Sequence, residues 1–236
     1  MMCAGLGSTA SIMSSVFLHE YATRAECLEQ LTQALTAQLQ ADLAATQTVG
    51  LLLPGGQTPQ ALYPLLNQAP LPWLRIQVSL TDERWVAREH AQSNLAALQA
   101  RLSGAQCLDP RQAAQPHTSA TAWAQQIQAW PLLSAVLLGM GEDGHIASLF
   151  PGMPDAADAL DASASPGALV SMQGTQTRLS LNLAQFLRAH WLGLLMFGDT
   201  KRRVLDAVLE QGGLAQTPIA ALLLQNARPV HVFWAP

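Results

Sequence analysis

Leu137-Leu-Gly-Met-Gly-Glu-Asp-Gly-His-Ile-Ala-Ser-Leu-Phe-Pro-Gly152 is the stretch that decides how the chain is read. It begins inside an apolar run, residues 135–138, with the length and composition of a short buried strand. That run ends in Gly139, Gly141 and Gly144, with Glu142, Asp143 and His145 set among and just after them. Open α/β sheets take their ligands just beyond the carboxyl ends of the strands. Glycine lets a ligand come close to the backbone, so a loop this rich in it suits a tight path beside one. His145 is the side chain here fitted for proton transfer near neutral pH.

Residues 139–144 also spell G-x-G-x-x-G. The dinucleotide fingerprint needs a helix opening at its end, whose N-terminus meets the pyrophosphate. Pro151 and Pro154 leave room for little more than one or two turns. Glu142 and Asp143 would set negative charge beside an anion. The acid expected about 20 residues on falls in an Ala/Asp/Ser/Pro loop rather than at a strand end. No nucleotide site is expected.

Upstream, residues 16–19 form a candidate edge strand, and Thr23-x-x-Glu26 is a capping box. Leu28, Leu31, Leu35, Leu39 and Leu43 follow at helical spacing, so one face of a long helix should lie on a sheet. Residues 48–53 read as a strand, then Pro54-Gly-Gly-Gln-Thr-Pro59 turns into a helix with Thr58 as N-cap and Pro59 at N1. A strand, a Gly-Gly turn and a helix start favour an anion; an ordinary βα turn is the alternative. Residues 75–80 are the next strand, running into Thr81-Asp-Glu-Arg-Trp-Val86, three charges and a tryptophan at the strand's carboxyl end, with a solvated loop as the alternative. Ser93-Asn94 starts a helix ending near Arg101, and residues 113–130 form another, with Trp123, Ile127 and Trp130 on one face.

Downstream, residues 153–167 read as surface loop, and residues 168–172 and 177–182 as a hairpin around Gly174. Residues 190–197 are a buried strand. Gly198-Asp-Thr-Lys-Arg-Arg203 then opens a helix with Val204, Leu205, Val208 and Leu209 inward, stopped by Gly212-Gly213. Lys201 is the only lysine of the protein. A cation in a helix's first turn is disfavoured by about 0.3–1 kcal/mol, which makes sense if an anion sits there. Residues 229–234 supply a last strand. Strands alternating with helices give an α/β fold, with a mostly parallel sheet and helices on both faces.

The 236 residues fit one α/β domain over 16–236 behind a leader, 1–15, expected to be disordered. Charged residues make up 12% and net charge is −4, so no footprint for nucleic acid is present. No apolar run approaches the roughly 18 residues of a membrane span. Cys3, Cys27 and Cys107 lack metal spacing and read as free thiols. A cytoplasmic monomer or small homo-oligomer is expected. Neither a P-loop, a G-x-S-x-G elbow nor zinc spacing occurs, so the chemistry is expected to need no metal and no covalent nucleophile.

Gly55–Thr58, Asp82–Arg84, Asp143–His145 and Lys201 thus fall at strand ends or helix starts, and together suggest proton transfer on a phosphorylated small molecule. Residues 54–59, 82–86, 93–94, 139–152, Arg178-Leu-Ser-Leu181 and 198–201 occur in the order seen in 6-phosphogluconolactonases, and the chain resembles that family over roughly residues 48–220. The resemblance implies a Rossmann-like fold shared with glucosamine-6-phosphate isomerase/deaminase. It implies hydrolysis of 6-phosphoglucono-δ-lactone without a cofactor. A δ-lactone is an activated ester with a tethered leaving group, which on this reading makes His145 the general base, Arg84 the charge stabiliser and Asp143 a support. Gly55, Gly56, Thr58, Asp82, Lys201 and Arg178 would bind substrate.

Departures from the family pattern are Pro54 and Gln57 in place of serines, Ala87 in place of a proline, and Ser134 in place of an aspartate. Two alternatives stand. The isomerase/deaminase loop resembles Asp-Gly-His-Ile-Ala-Phe-Asn-Glu-Pro, but this chain has Ser148-Leu-Phe-Pro151 and lacks that glutamate. A non-catalytic sugar-phosphate-binding module would carry a DNA-binding segment, and no basic helix-turn-helix precedes residue 48.

Overall fold

The computed structural model describes residues 16–211 and 217–236. The leader at 1–15 and the helix stop at Gly212-Gly213 lie outside them. The described residues begin with β1 (Val16–Glu20), α1 (Arg24–Ala45), β2 (Val49–Leu53), α2 (Gln57–Gln60), α3 (Tyr63–Gln68) and β3 (Ile76–Leu80). β4 (Asp82–Arg84), α4 (Asn94–Gln99), β5 (Gln106–Cys107), α5 (Pro116–Gln128) and β6 (Leu133–Gly139) follow. The last part holds α6 (Ala156–Leu160), β7 (Ala168–Gln173), β8 (Gln176–Leu181), α7 (Leu183–Phe186) and β9 (Trp191–Phe197). It closes with α8 (Asp199–Gln211), α9 (Pro218–Leu224) and β10 (Val230–Ala235).

Seven strands pair in the order β1-β10-β9-β6-β2-β3-β5, every pair parallel. Because side chains alternate across a strand, each central strand feeds two cores. Leu51, Leu53, Ala135 and Leu137 join the leucines of α1, with Tyr63 and Leu66 of α3. Leu52, Val136, Leu138, Leu194 and Val232 face the other way, onto Trp123 and Ile127 of α5, Leu205 and Val208 of α8, and Ile219, Leu222 and Leu223 of α9. Covering both faces is what permits an all-parallel sheet, and each fully buried leucine contributes about 1.5–3 kcal/mol. The fold is α/β with helices on both faces, as the alternation of elements required.

α1 starts as its sequence demands: Thr23 Oγ1 accepts from the Glu26 N–H at 3.2 Å, and Leu28, Leu31, Leu35, Leu39 and Leu43 are all buried. Three local expectations change. The helix after β2 is capped by Gly56, not Thr58. Gly56 has φ +100°, ψ 171°, a conformation open only to glycine, and it turns the chain into the helix early enough to leave Thr58 inside the first turn. Residues 153–167 contain α6, whose Ala159 is buried.

The third change matters most for the site. Residues 82–84 are not loop but β4, the first strand of a second, antiparallel sheet in the order β4-β8-β7. Thr81 is the hinge between the sheets, its N–H donating to Leu53 O at 3.0 Å and its carbonyl accepting from the Leu181 N–H at 3.1 Å. Three polar residues carry no alternation that reads as a strand, so the hairpin of β7 and β8 supplies the pairing. The strand order of the large sheet reverses between β2 and β6, the kind of place where such sheets hold ligands.

Candidate active site

A cleft of about 260 Å³ opens beyond the carboxyl ends of β2, β6 and β9, with the small sheet as one wall. Gly55, Gly56, Thr58, Asp82, Arg84, His145, Arg178 and Lys201 all line it. Asp143 is not among the lining residues and instead holds His145 from behind. Asn94 and Gly141 line it too and were not picked out as site residues from the sequence. Neither carries a charge, and their partners lie far away in sequence or are visible only in three dimensions.

The loop after β6 is folded tightly on itself. Gly141 N–H donates to His145 O at 2.9 Å, Gly144 N–H to Gly141 O at 3.2 Å, and Ile219 N–H to Gly144 O at 3.0 Å. Asp143 Oδ1 accepts from the His145 backbone N–H at 3.1 Å and lies 2.6 Å from Nδ1 of the ring. Burial alone would raise the Asp143 carboxyl, but the His145 backbone N–H, charge and ring together hold it below the ordinary aspartate value. A carboxylate only accepts, so Nδ1 carries the hydrogen, and it is Nε2 that bears the lone pair of the neutral ring. Phe150 packs on this imidazole with ring centroids 5.0 Å apart, and the Arg178 guanidinium lies 5.8 Å from the Phe150 ring centre. No helix opens at the end of residues 139–144.

Across the cleft, Pro54 has no N–H, and its carbonyl is turned inward to accept from the Tyr63 hydroxyl. Gly55 lies under the Asn94 amide, so closely that an added Cβ would stand 2.0 Å from Cγ of that side chain. The N–H groups of Gln57 and Thr58, in the first turn of α2, have no intrahelical partner. Lys201 sits in the first turn of α8, half-buried. Burial lowers its ammonium pKa, with nearby Glu142 acting against that shift and Arg24 reinforcing it.

The small sheet sets Arg84 directly opposite Arg178. Like charges facing each other across a ladder are destabilising, and the Nε of each is buried without a partner from the chain. Burial lowers the Arg178 pKa, and Asp82 opposes that shift. Asp82 has Oδ2 3.9 Å from Arg178 Nη1, and the same oxygen accepts from Ser148 Oγ at 2.6 Å. The carboxylate therefore ties the His145 loop to β4. Three cations, Arg84, Arg178 and Lys201, share the cleft with the turn after β2 and one oriented imidazole, a set that can hold a phosphate and accept a proton.

The chain matches the family model described as glucosamine-6-phosphate isomerases/6-phosphogluconolactonase over residues 22–234. A 6-phosphogluconolactonase of Rhizobium meliloti (strain 1021) is 33% identical over 232 residues, spanning 94% of this chain and 100% of that protein. One from Pseudomonas putida is 31% identical, spanning 98% of each. The crystal structure of a 6-phosphogluconolactonase from Shewanella baltica OS155 superposes with a TM-score of 0.84 at 28% identity, over 94% of this chain and 98% of that one. A monomeric glucosamine-6-phosphate deaminase shares the fold, with a TM-score of 0.75 at 17% identity, over 93% of this chain and 97% of that one. Matched in this way over nearly its whole length, the chain belongs to the glucosamine-6-phosphate isomerase/6-phosphogluconolactonase family.

Proposed function

We propose that the protein hydrolyses 6-phosphoglucono-δ-lactone to 6-phosphogluconate, the second step of the oxidative pentose phosphate pathway, with His145 as general base. The observation that carries this reading is the Asp143–His145 pair, Nδ1 to Oδ1 2.6 Å, set at the cleft that Lys201, Arg84 and Arg178 also line. A δ-lactone is an activated ester whose leaving alkoxide stays tethered, so one positioned base and one charge stabiliser suffice.

In this mechanism the substrate phosphate lies between Lys201 and the Gly55–Thr58 turn, with Arg178 as a further contact. His145 Nε2 takes a proton from water as the water oxygen bonds to the lactone carbonyl carbon. Arg84 stabilises the oxyanion that develops. The tetrahedral intermediate collapses by breaking the bond between that carbon and the ring oxygen, and the imidazolium returns its proton to the departing oxygen. The acid product then ionises. Asp143 keeps the ring in the Nδ1–H tautomer and stabilises the imidazolium without itself taking the proton. General-base catalysis of this kind is typically worth about 10²–10⁴-fold. Against the isomerase/deaminase reading, Phe150 packs on the imidazole at the position where that family's loop carries its glutamate.

The test is acid release from freshly made 6-phosphogluconolactone, followed against its spontaneous hydrolysis with and without the protein. A rate above the spontaneous one, with no ammonia released from glucosamine 6-phosphate, is expected. Ammonia release, or no acceleration, would overturn the reading.

A further inference from the structure

Arg111 is buried, 8% exposed, and lies in the connection between β5 and α5, outside the cleft lining. Its guanidinium is used on every side. Nη2 is 3.3 Å from Glu83 Oε2 and 3.1 Å from Ser93 Oγ, Nη1 donates to Val86 O at 3.1 Å, and Nε donates to Asp109 Oδ1 at 2.9 Å. Glu83 is fully buried, and its carboxylate accepts from the N–H groups of Arg84, Asn94 and Leu95 at 2.7, 2.8 and 2.9 Å, and from Ser93 Oγ at 3.1 Å.

These contacts converge on one side chain. Arg84 Nη1 donates to the Asn94 side-chain oxygen and to Gln92 O, the latter at 3.0 Å. Asn94 is itself oriented by its Nδ2, which donates to Asp82 O at 3.0 Å. Both anchors of the Arg84 guanidinium therefore belong to the segment 85–94, which Arg111 fastens at residues 86 and 93 and, through Glu83, at residues 94 and 95. Arg111 is the cation that faces the buried Glu83 carboxylate, while Asp109 is a second acidic partner of Arg111 itself, so removing Arg111 leaves the Glu83 charge buried and uncompensated.

The geometry points to Arg111 as a positioning residue for Arg84: the buried Glu83–Arg111 pair fixes segment 85–94 so that Asn94 and Gln92 aim the Arg84 guanidinium into the cleft. This rests on the role given to Arg84 in the lactonase mechanism. A side chain that only stapled the fold would lower the melting temperature without acting through Arg84.

A double-mutant cycle on the full chain separates the two, using Arg111→Met, Arg84→Lys and their combination. Arg111→Met is expected to lower kcat by about 10–100-fold with little change in KM, the scale set by small misplacement of a catalytic group. In the Arg84→Lys background the same change should cost no more than about threefold, because coupled residues are not additive. Arg111→Lys keeps the charge but loses the planar fork; it serves if the methionine variant does not fold, with an intermediate kcat loss that likewise shrinks beside Arg84→Lys. Full additivity, or wild-type kcat in a folded Arg111 variant, overturns the inference alone. Wild-type kcat in Arg84→Lys would overturn the role of Arg84 and this inference with it.

Discussion

Gly141 lies directly against His145: a Cβ added to it would stand 2.2 Å from both Nδ1 and Cε1 of the imidazole and 2.7 Å from Asp143 Oδ1. The absence of a side chain at 141 is therefore what lets the ring lie back on its own loop and meet its carboxylate. Gly141→Ala should push the imidazole off that position in an otherwise folded protein. Misplacement by about 1 Å can cost on the order of 10²-fold, so kcat should fall by that order while KM holds. A folded Gly141→Ala enzyme with unchanged kcat would show that the ring tolerates displacement.

Lys201→Ala should act on binding instead. In the mechanism above the ammonium holds the phosphate and takes no part in the bonds that form or break, so its loss removes uniform binding, which raises KM and leaves kcat nearly unchanged. Comparison with the unphosphorylated lactone sharpens this: the variant and the wild type should handle that substrate alike. Unchanged KM for the phosphorylated lactone would take Lys201 out of the phosphate site.

The Asp143 carboxyl lies below its ordinary value because its bonds to His145 outweigh its burial. A carboxylate with a depressed folded value stabilises the fold above its unfolded value, and that contribution disappears as pH falls through the folded one. In urea titrations the stability difference between wild type and Asp143→Asn should stay level above about pH 5 and shrink below about pH 4. A difference independent of pH would mean that the carboxylate charge does not hold the loop.

His19 and His231 join the edge strand β1 to β10 through a 3.2 Å contact between Nε2 and Nδ1, within a stack that includes Phe17 and Phe233. Burial lowers both, and for His231 the neighbouring His19 lowers it further. With folded values below the unfolded one, the unfolded chain binds more protons, so stability falls as pH drops through about 6.5. Melting temperatures between pH 8 and pH 5 should decline less in His231→Phe than in the wild type. Parallel curves would contradict this.

Much of this was legible in the sequence because it is local. The leucines of α1, the glycine-bounded end of β6 and the lone Lys201 each announce themselves within a few residues. β4 did not, since Asp82-Glu83-Arg84 becomes a strand only by pairing with β8, almost a hundred residues on. Thr58 was misplaced because the Gly56 turn, not hydroxyl chemistry, sets the start of α2. The Glu83–Arg111 pair and the fit of Asn94 on Gly55 are long-range contacts that no local pattern encodes.

The most direct measurement is steady-state lactone hydrolysis by His145→Ala, corrected for the spontaneous reaction, on protein shown to melt like the wild type. If this imidazole activates the water, kcat falls by at least about 10²-fold and KM changes little. A folded variant keeping most of the wild-type kcat would contradict it.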